Sequence, residues 1–260
     1  MNDNFYKTPQ SNVNPAPNQD QSRLGDPHSC PAGTSMNWVG DSWNLFKAQP
    51  GVWIGIFLVY MIIMMVVSSI PLLNFFSGII TPLFTAGWMV AAINCDRNGS
   101  AKIDDLFVGF NRKTGDLIIV GLIAYGMEVG LVIILTALFM GLVGVNQMIN
   151  MVGDEQQMLQ FIPYIMIMVL LFIALMLPIV MMIWYAPILI IQHDLKPWDA
   201  MTKSFNGCLK NVLPLTVYSL VFLILILIGT IPLFLGLLIV SPMFMISIYS
   251  SYKDIYLRNN

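Results

Sequence analysis

Long apolar runs alternate along this chain with short polar islands that carry a helical period. The clearest island is 192–211, QHDLKPWDAMTKSFNGCLKN. Trp198, Met201, Phe205, Cys208, Leu209 and Val212 recur there at i, i+3, i+7, i+10, i+11 and i+14, which is one face of a helix. Asp199, Lys203, Asn206 and Lys210 occupy the other side. Such a helix is too short and too charged to cross a bilayer, and is expected to lie in the interface with its apolar stripe in the acyl boundary. Two related stretches occur earlier. Met36, Val39, Trp43 and Phe46 repeat the spacing behind an N-cap at Thr34 or Ser35 and stop at Pro50-Gly51. Ile103, Leu106, Phe107 and Phe110 form a shorter face after Ser100, with Asp104 and Asp105 in the first turn.

Six apolar runs lie between the islands: 52–69, 75–94, 117–143, 161–191, 213–229 and 233–252. They pair through a tight turn at 71–74, a polar-to-mixed loop at 144–160 and a turn at 230–232. About 20 apolar residues cross a hydrocarbon core. The expected fold is therefore all-α: a polytopic membrane protein with six transmembrane helices in three hairpins, each preceded by a cytoplasmic interfacial amphipathic helix. This domain fills 35–256, with 257–260 as a cytoplasmic end. Pro82, Pro178 and Pro242 sit inside the three returning helices, and Asp96, Asp194 and Asp254 close them. That suggests an internal triplication with an enlarged middle unit.

Composition sharpens this picture. The chain is 57% hydrophobic and 10% charged, against about 25% charged in soluble domains. Residues 1–34, rich in Asn, Gln, Pro and Ser, read as a disordered cytoplasmic tail. The start has no apolar core of a signal peptide, so the first membrane helix is expected to be uncleaved. A net charge of −2 with no basic run gives no reason to expect nucleic acid. Three cysteines, Cys30, Cys95 and Cys208, imply no disulfide framework or zinc site. All 12 Lys and Arg fall on one side of the six runs, and the opposite loops carry only Asp154 and Glu155. The positive-inside bias then places both termini and all three islands in the cytoplasm. Labelling of Cys208 from outside intact cells would overturn that orientation.

Candidate chemistry is sparse. Glu128 is the one ionisable acid or base well inside a run, ~16 Å from Leu117 at ~1.5 Å per residue and so near the midplane. A carboxylate there costs at least about 2.5 kcal/mol, so it should be protonated or partnered. Tyr125 and Glu128 stand in a turn where Gly126 and Gly130 form a small-xxx-small face for close helix contact. Either Glu128 serves a proton or cation path, or it is a neutral acid hydrogen-bonded to a residue such as Tyr60 or Tyr218. Prolines 82, 163, 178 and 187 free backbone carbonyls and kink helices, which transporters use to hold ions. Met148, Met151 and Met158 near the outer loop lack a His or Cys companion, so copper is not expected. His28-Ser-Cys30 and His193-Asp194 are isolated pairs rather than metal cages, and no cofactor is implied. No arrangement for nucleophilic or acid–base catalysis is evident, so an enzyme is not expected. Trp38, Trp43, Trp53, Trp198 and Phe205 are candidate interfacial anchors in an aromatic belt.

The stretches 38–55, WVGDSWNLFKAQPGVWIG, and 184–211, WYAPILIIQHDLKPWDAMTKSFNGCLKN, resemble an uncharacterised family of bacterial six-span inner-membrane proteins. The likeness covers about residues 35–255. More distantly the chain is similar to the membrane domain fused to some glycerophosphodiester phosphodiesterases, although no phosphodiesterase domain is present in it. The resemblance implies a bacterial inner-membrane protein and transfers no functional residue. The expected role is a non-enzymatic scaffold or accessory component for membrane machinery or lipid, partnered by the bilayer and by other membrane proteins. The alternative is a small transporter or channel with Glu128 in its path.

Overall fold

A computed structural model describes residues 24–71, 76–144 and 161–257. Among these residues every regular element is helical. The helices are α1 (Thr34–Ala48), α2 (Pro50–Ser69), α3 (Ser77–Asn98), α4 (Thr114–Val143), α5 (Ile162–Ile183), α6 (Ala186–His193), α7 (Pro197–Lys210), α8 (Val212–Thr230) and α9 (Leu237–Tyr252). Five segments are long and apolar enough to cross a membrane: α2, α3, α4, α5 with α6, and α8. The expected sixth, α9, has 16 helical residues and is continued by a π-helical turn, Lys253–Leu257.

The core is built on α3 and α9, with α1 laid along α9 and α4 crossing α3. α8 and α9 form a regular antiparallel hairpin. Tyr218 bonds Ser247, Phe222 meets Phe244 edge-on, and Gly229 backs onto Gly236. The first hairpin is held by aromatic layers, Trp53 stacked on Trp88 and Tyr60 edge-on to Phe84. α4 and α3 approach closely because Gly121 rests against the Ile79 backbone. Gly126 and Gly130, expected to make that contact, face open space within 4 Å. Beyond this crossing α4 pairs with α5 through a separate small cluster of Leu131, Leu135 and Ile179.

The three islands depart from simple amphipathic wedges. α1 buries Ser35, Trp38, Ser42 and Phe46, while Met36 and Trp43 are exposed. Its serines close onto the carbonyls of Ala32 and Val39, which makes them cheap to bury, and they leave room for α9. The second island is a 3-10 turn, Ile103–Phe107, followed by one helical turn, Val108–Asn111. It is capped by Asp105 bonding the Lys102 N–H, not by Ser100. Gly87 lies under the Leu106 backbone and Gly109 under that of Leu83, so this segment is pressed onto α3. α7 buries Ala200, Met201, Ser204, Gly207 and Cys208, and exposes Trp198, Leu209 and the neighbouring Val212.

Residues 24–33 depart from the expected disorder; 1–23 lie outside the described residues. The buried Asn211 accepts from the Cys30 N–H at 2.7 Å and donates to the carbonyls of His28 (2.8 Å) and Gly207 (2.9 Å). Lys210 donates to the Pro27 carbonyl, and Gly25 N–H to that of Tyr256. These bonds offset the ordering entropy that composition alone leaves unopposed. Met148, Met151, Asp154, Glu155 and Met158 of the loop expected on the outer side lie outside the described residues, as do Lys7, Arg23 and Arg258.

Candidate functional site

The fourth apolar run is not one continuous helix. It breaks at Trp184-Tyr185 between α5 and α6. Pro187 begins α6, where its missing N–H costs nothing, but it offers no donor to the carbonyl of Ile183. The break is held open from α7. Ser204 Oγ donates to the Met181 carbonyl at 2.7 Å and accepts from the Tyr185 N–H at 2.9 Å. Met181 and Tyr185 are the i−4 and i partners of an uninterrupted helix, so a hydroxyl has been inserted into the ladder. On α3, Pro82 likewise withholds a donor from the carbonyl of Gly78.

The α5–α6 break and the Pro82 turn of the continuous helix α3 meet at one cavity of about 150 Å³. α3 lines it with Gly78, Thr81, Pro82 and Thr85, α4 with Ala124, Tyr125 and Glu128, and the α5–α6 break with Ile183 and Pro187. The two threonines donate to backbone oxygens of Ser77 (2.9 Å) and Thr81 (3.0 Å). Tyr125 packs over Gly78, whose missing side chain leaves room for it. The space is large enough for several waters.

Glu128 and Tyr125, foreseen from sequence, are thus brought together with groups the sequence did not single out: Thr81, Thr85 and Gly78. Glu128 is half-buried. Neither tyrosine expected as its partner takes that role. Tyr218 is bonded to Ser247 and the Phe244 carbonyl, and Tyr60 packs against Phe84 and Trp88. The ion pairs among the described residues are Lys113–Asp194, Lys203–Asp26 and Lys253–Asp96, none of which involves Glu128. On α3 the cavity is lined by residues of the first turns of that helix.

That basic end is a separate polar lattice. Asp96 accepts from Tyr249 and Lys253, both at 2.8 Å, and Asp254 accepts from Trp38 Nε1 at 2.9 Å. Asp194 pairs with Lys113 at 2.8 Å. The Lys113 ammonium holds the Asp194 carboxyl below its ordinary range, and Asp194 raises Lys113 in return. Burial pushes the Asp41 carboxyl up, opposed by Lys253. His193 Nε2 bonds the Tyr252 hydroxyl. Among the described residues no group of three or more His, Cys, Asp or Glu could hold a metal ion.

The candidate anchors divide. Trp38 and Trp53 are 0% exposed, Trp53 donating to the Leu45 carbonyl. They are core residues rather than belt residues, because each indole N–H finds an acceptor inside the protein. Trp43 at 41% and Trp198 at 59% stand outward, and Phe205 is half-buried. Cys208 is buried, with its thiol pushed up to about 12 by that burial. Labelling of Cys208 therefore cannot report topology.

No family model matches the chain, and no solved structure matches it. It is similar to a probable inner membrane protein of Burkholderia thailandensis, with 26% identity over 207 residues, covering 74% of this chain and 73% of that relative. No link to glycerophosphodiester phosphodiesterases emerges. That relative's name and the five long apolar segments among the described residues support an integral inner-membrane protein in contact with the lipid bilayer.

Proposed function

We propose that this protein is a small inner-membrane transporter or channel that binds a proton or small cation at Glu128, and not an enzyme. The observation that carries this reading is the cavity itself: it is lined by a carboxylate with no ion-pair partner among the described residues, by two threonines, a tyrosine and two helix turns that contain proline. A broken helix, here α5–α6, is how membrane proteins expose backbone to an ion. A scaffold was expected to have a packed interior, and the cavity beside Glu128 favours the transporter over it.

The architecture we propose around it has six spans with both termini cytoplasmic. The pairing of α9 along the whole of α8 supports α9 as a sixth crossing. Its 16 residues, extended by the π-helical turn, approach the required length. The exposed Trp43 and Trp198 would then sit at the cytoplasmic interface. Internal triplication remains part of this reading, although Asp96, Asp194 and Asp254 take three different partners.

Proteoliposomes loaded with a pH-sensitive dye provide the test. An imposed pH or cation gradient should relax faster than in protein-free vesicles, and Glu128→Gln should abolish the difference while leaving helicity unchanged. Relaxation identical to that of empty vesicles, or unaffected by Glu128→Gln, refutes the proposal.

A further inference from the structure

We infer that the ligand of the Glu128 cavity is a monovalent metal cation, coordinated by the Glu128 carboxylate and by backbone oxygens at the two proline interruptions. This rests on the reading of Glu128 given above and names the ligand class. Pro82 and Pro187 have no N–H, so the carbonyls of Gly78 and Ile183 lose their intrahelical donors. Both residues line the same cavity, and Gly78 has only backbone to present there. The Thr81 and Thr85 hydroxyl hydrogens are spent on the carbonyls of Ser77 and Thr81, so toward the cavity these groups turn lone pairs. Of the lining polar groups, Tyr125 alone keeps a hydrogen to give.

The few polar groups in this otherwise apolar wall are mainly oxygen acceptors, a lining that disfavours anions and amides. A proton on Glu128 satisfies one acceptor and leaves the remainder facing the cavity. A dehydrated cation draws on several oxygens at once, which is the coordination hard cations take. The single carboxylate fixes the charge. One positive charge is neutralised, whereas a divalent ion would leave a net charge within the hydrocarbon. A volume of about 150 Å³ accommodates an ion with a few waters. The Ser204 bridge keeps the α5–α6 break from closing beside it.

Thermal unfolding of the intact, detergent-purified protein tests this in 150 mM (an approximate, near-physiological level) NaCl, KCl or LiCl against choline chloride at equal ionic strength. At least one metal salt should raise Tm by on the order of 5 °C, as expected for a site occupied well above its Kd. Glu128→Gln should remove that shift. Pro187→Ala, which returns an N–H to the Ile183 carbonyl, should raise the half-saturating concentration by about tenfold. If Pro187→Ala does not fold, Thr81→Val should weaken binding in the same direction. No shift from any of the three metals, or a shift that survives Glu128→Gln, overturns the inference. If the metals give no shift while proton flux still depends on Glu128, the ligand class falls and the transport reading stands. If Glu128→Gln changes neither measurement, both fall.

Discussion

Replacing Ser204 by Ala removes one oxygen that serves two buried partners. Its hydroxyl bridges the Met181 carbonyl and the Tyr185 N–H across the α5–α6 break, and Ser204 is 0% exposed. A buried polar group left unpaired costs about 1–3 kcal/mol, whereas single hydrogen bonds inside membrane proteins average about 0.6 and reach about 1.7 kcal/mol. Two bonds lost together should therefore cost about 1–3 kcal/mol. The upper end applies if the break stays open. The lower end applies if Tyr185 N–H swings back to Met181 O and closes the helix. That closure would draw Trp184 from Phe244, against which it packs edge-on, and Tyr185 from Tyr256. Reversible denaturant titration in mixed micelles gives the free energy, and near-ultraviolet dichroism reports the aromatic contacts. Thr202→Ala, at an exposed site on the same helix, is the control. Ser204→Ala within about 0.3 kcal/mol of wild type, with unchanged aromatic signals, would refute the bridge as the element that holds the break.

Two further outcomes follow from the same geometry. A Cβ on Gly87 would lie 2.1 Å from the Leu106 oxygen, and one on Gly121 2.5 Å from that of Ile79, so alanine at either forces backbones apart. Each should cost about 1–3 kcal/mol or more, whereas Gly126→Ala and Gly130→Ala, with open space, should be neutral or stabilising; equal effects in a denaturant series would contradict this. The Lys113–Asp194 pair should stabilise across the neutral range. Asp194 is depressed below its ordinary 3.8, so its contribution is full above that value and is lost as pH falls through its lower folded value. Lys113 is raised, so its contribution is present below its ordinary 10.5 and is lost as pH climbs past its folded value. The Tm difference between wild type and Asp194→Asn should be constant from neutral pH down to about 3.8 and shrink below it as Asp194 is protonated; a difference that grows on acidification would rule the pair out as its source. Because the pair is exposed, the effect should also shrink in high salt.

Apolar period and length sufficed to locate the helices, because crossing hydrocarbon demands long apolar runs whatever their partners. They revealed only part of the face each helix buries: Phe46 on α1 and Met201 and Cys208 on α7 are inside as the period implies, but other members of each stripe are not. On α1 the apolar spacing picks out Met36 and Trp43, which are exposed, while the packed face carries Ser35, Trp38 and Ser42. On α7 it picks out Trp198 and Leu209, while Ala200, Ser204 and Gly207 are inside. The cause is the solvent. Against lipid an apolar face gains nothing by being covered, and close helix contact favours small or hydrogen-bonding side chains. Glu128 was legible as a solitary acid. Its surroundings were not, since they depend on Pro82 and Pro187 converging from separate helices and on Ser204 reaching back from a third. The Asn211 contacts with Cys30 and His28 span more than 180 residues of sequence, beyond what local composition can register.

Order of synthesis gives the Ser204 bridge a further meaning. Tyr185 and Ser204 are 19 residues apart, and the ribosome delivers the serine second. Until it emerges, the nearest acceptor for the Tyr185 N–H is the Met181 carbonyl on its own helix. The fourth apolar segment can thus enter the bilayer as a bent but unbroken rod, its Tyr185 N–H satisfied and only the Ile183 carbonyl left without a helical donor by Pro187. Only when α7 docks does the hydroxyl displace that bond. The break, and the wall of the Glu128 cavity formed by Ile183 and Pro187, is then a product of late assembly rather than of membrane insertion.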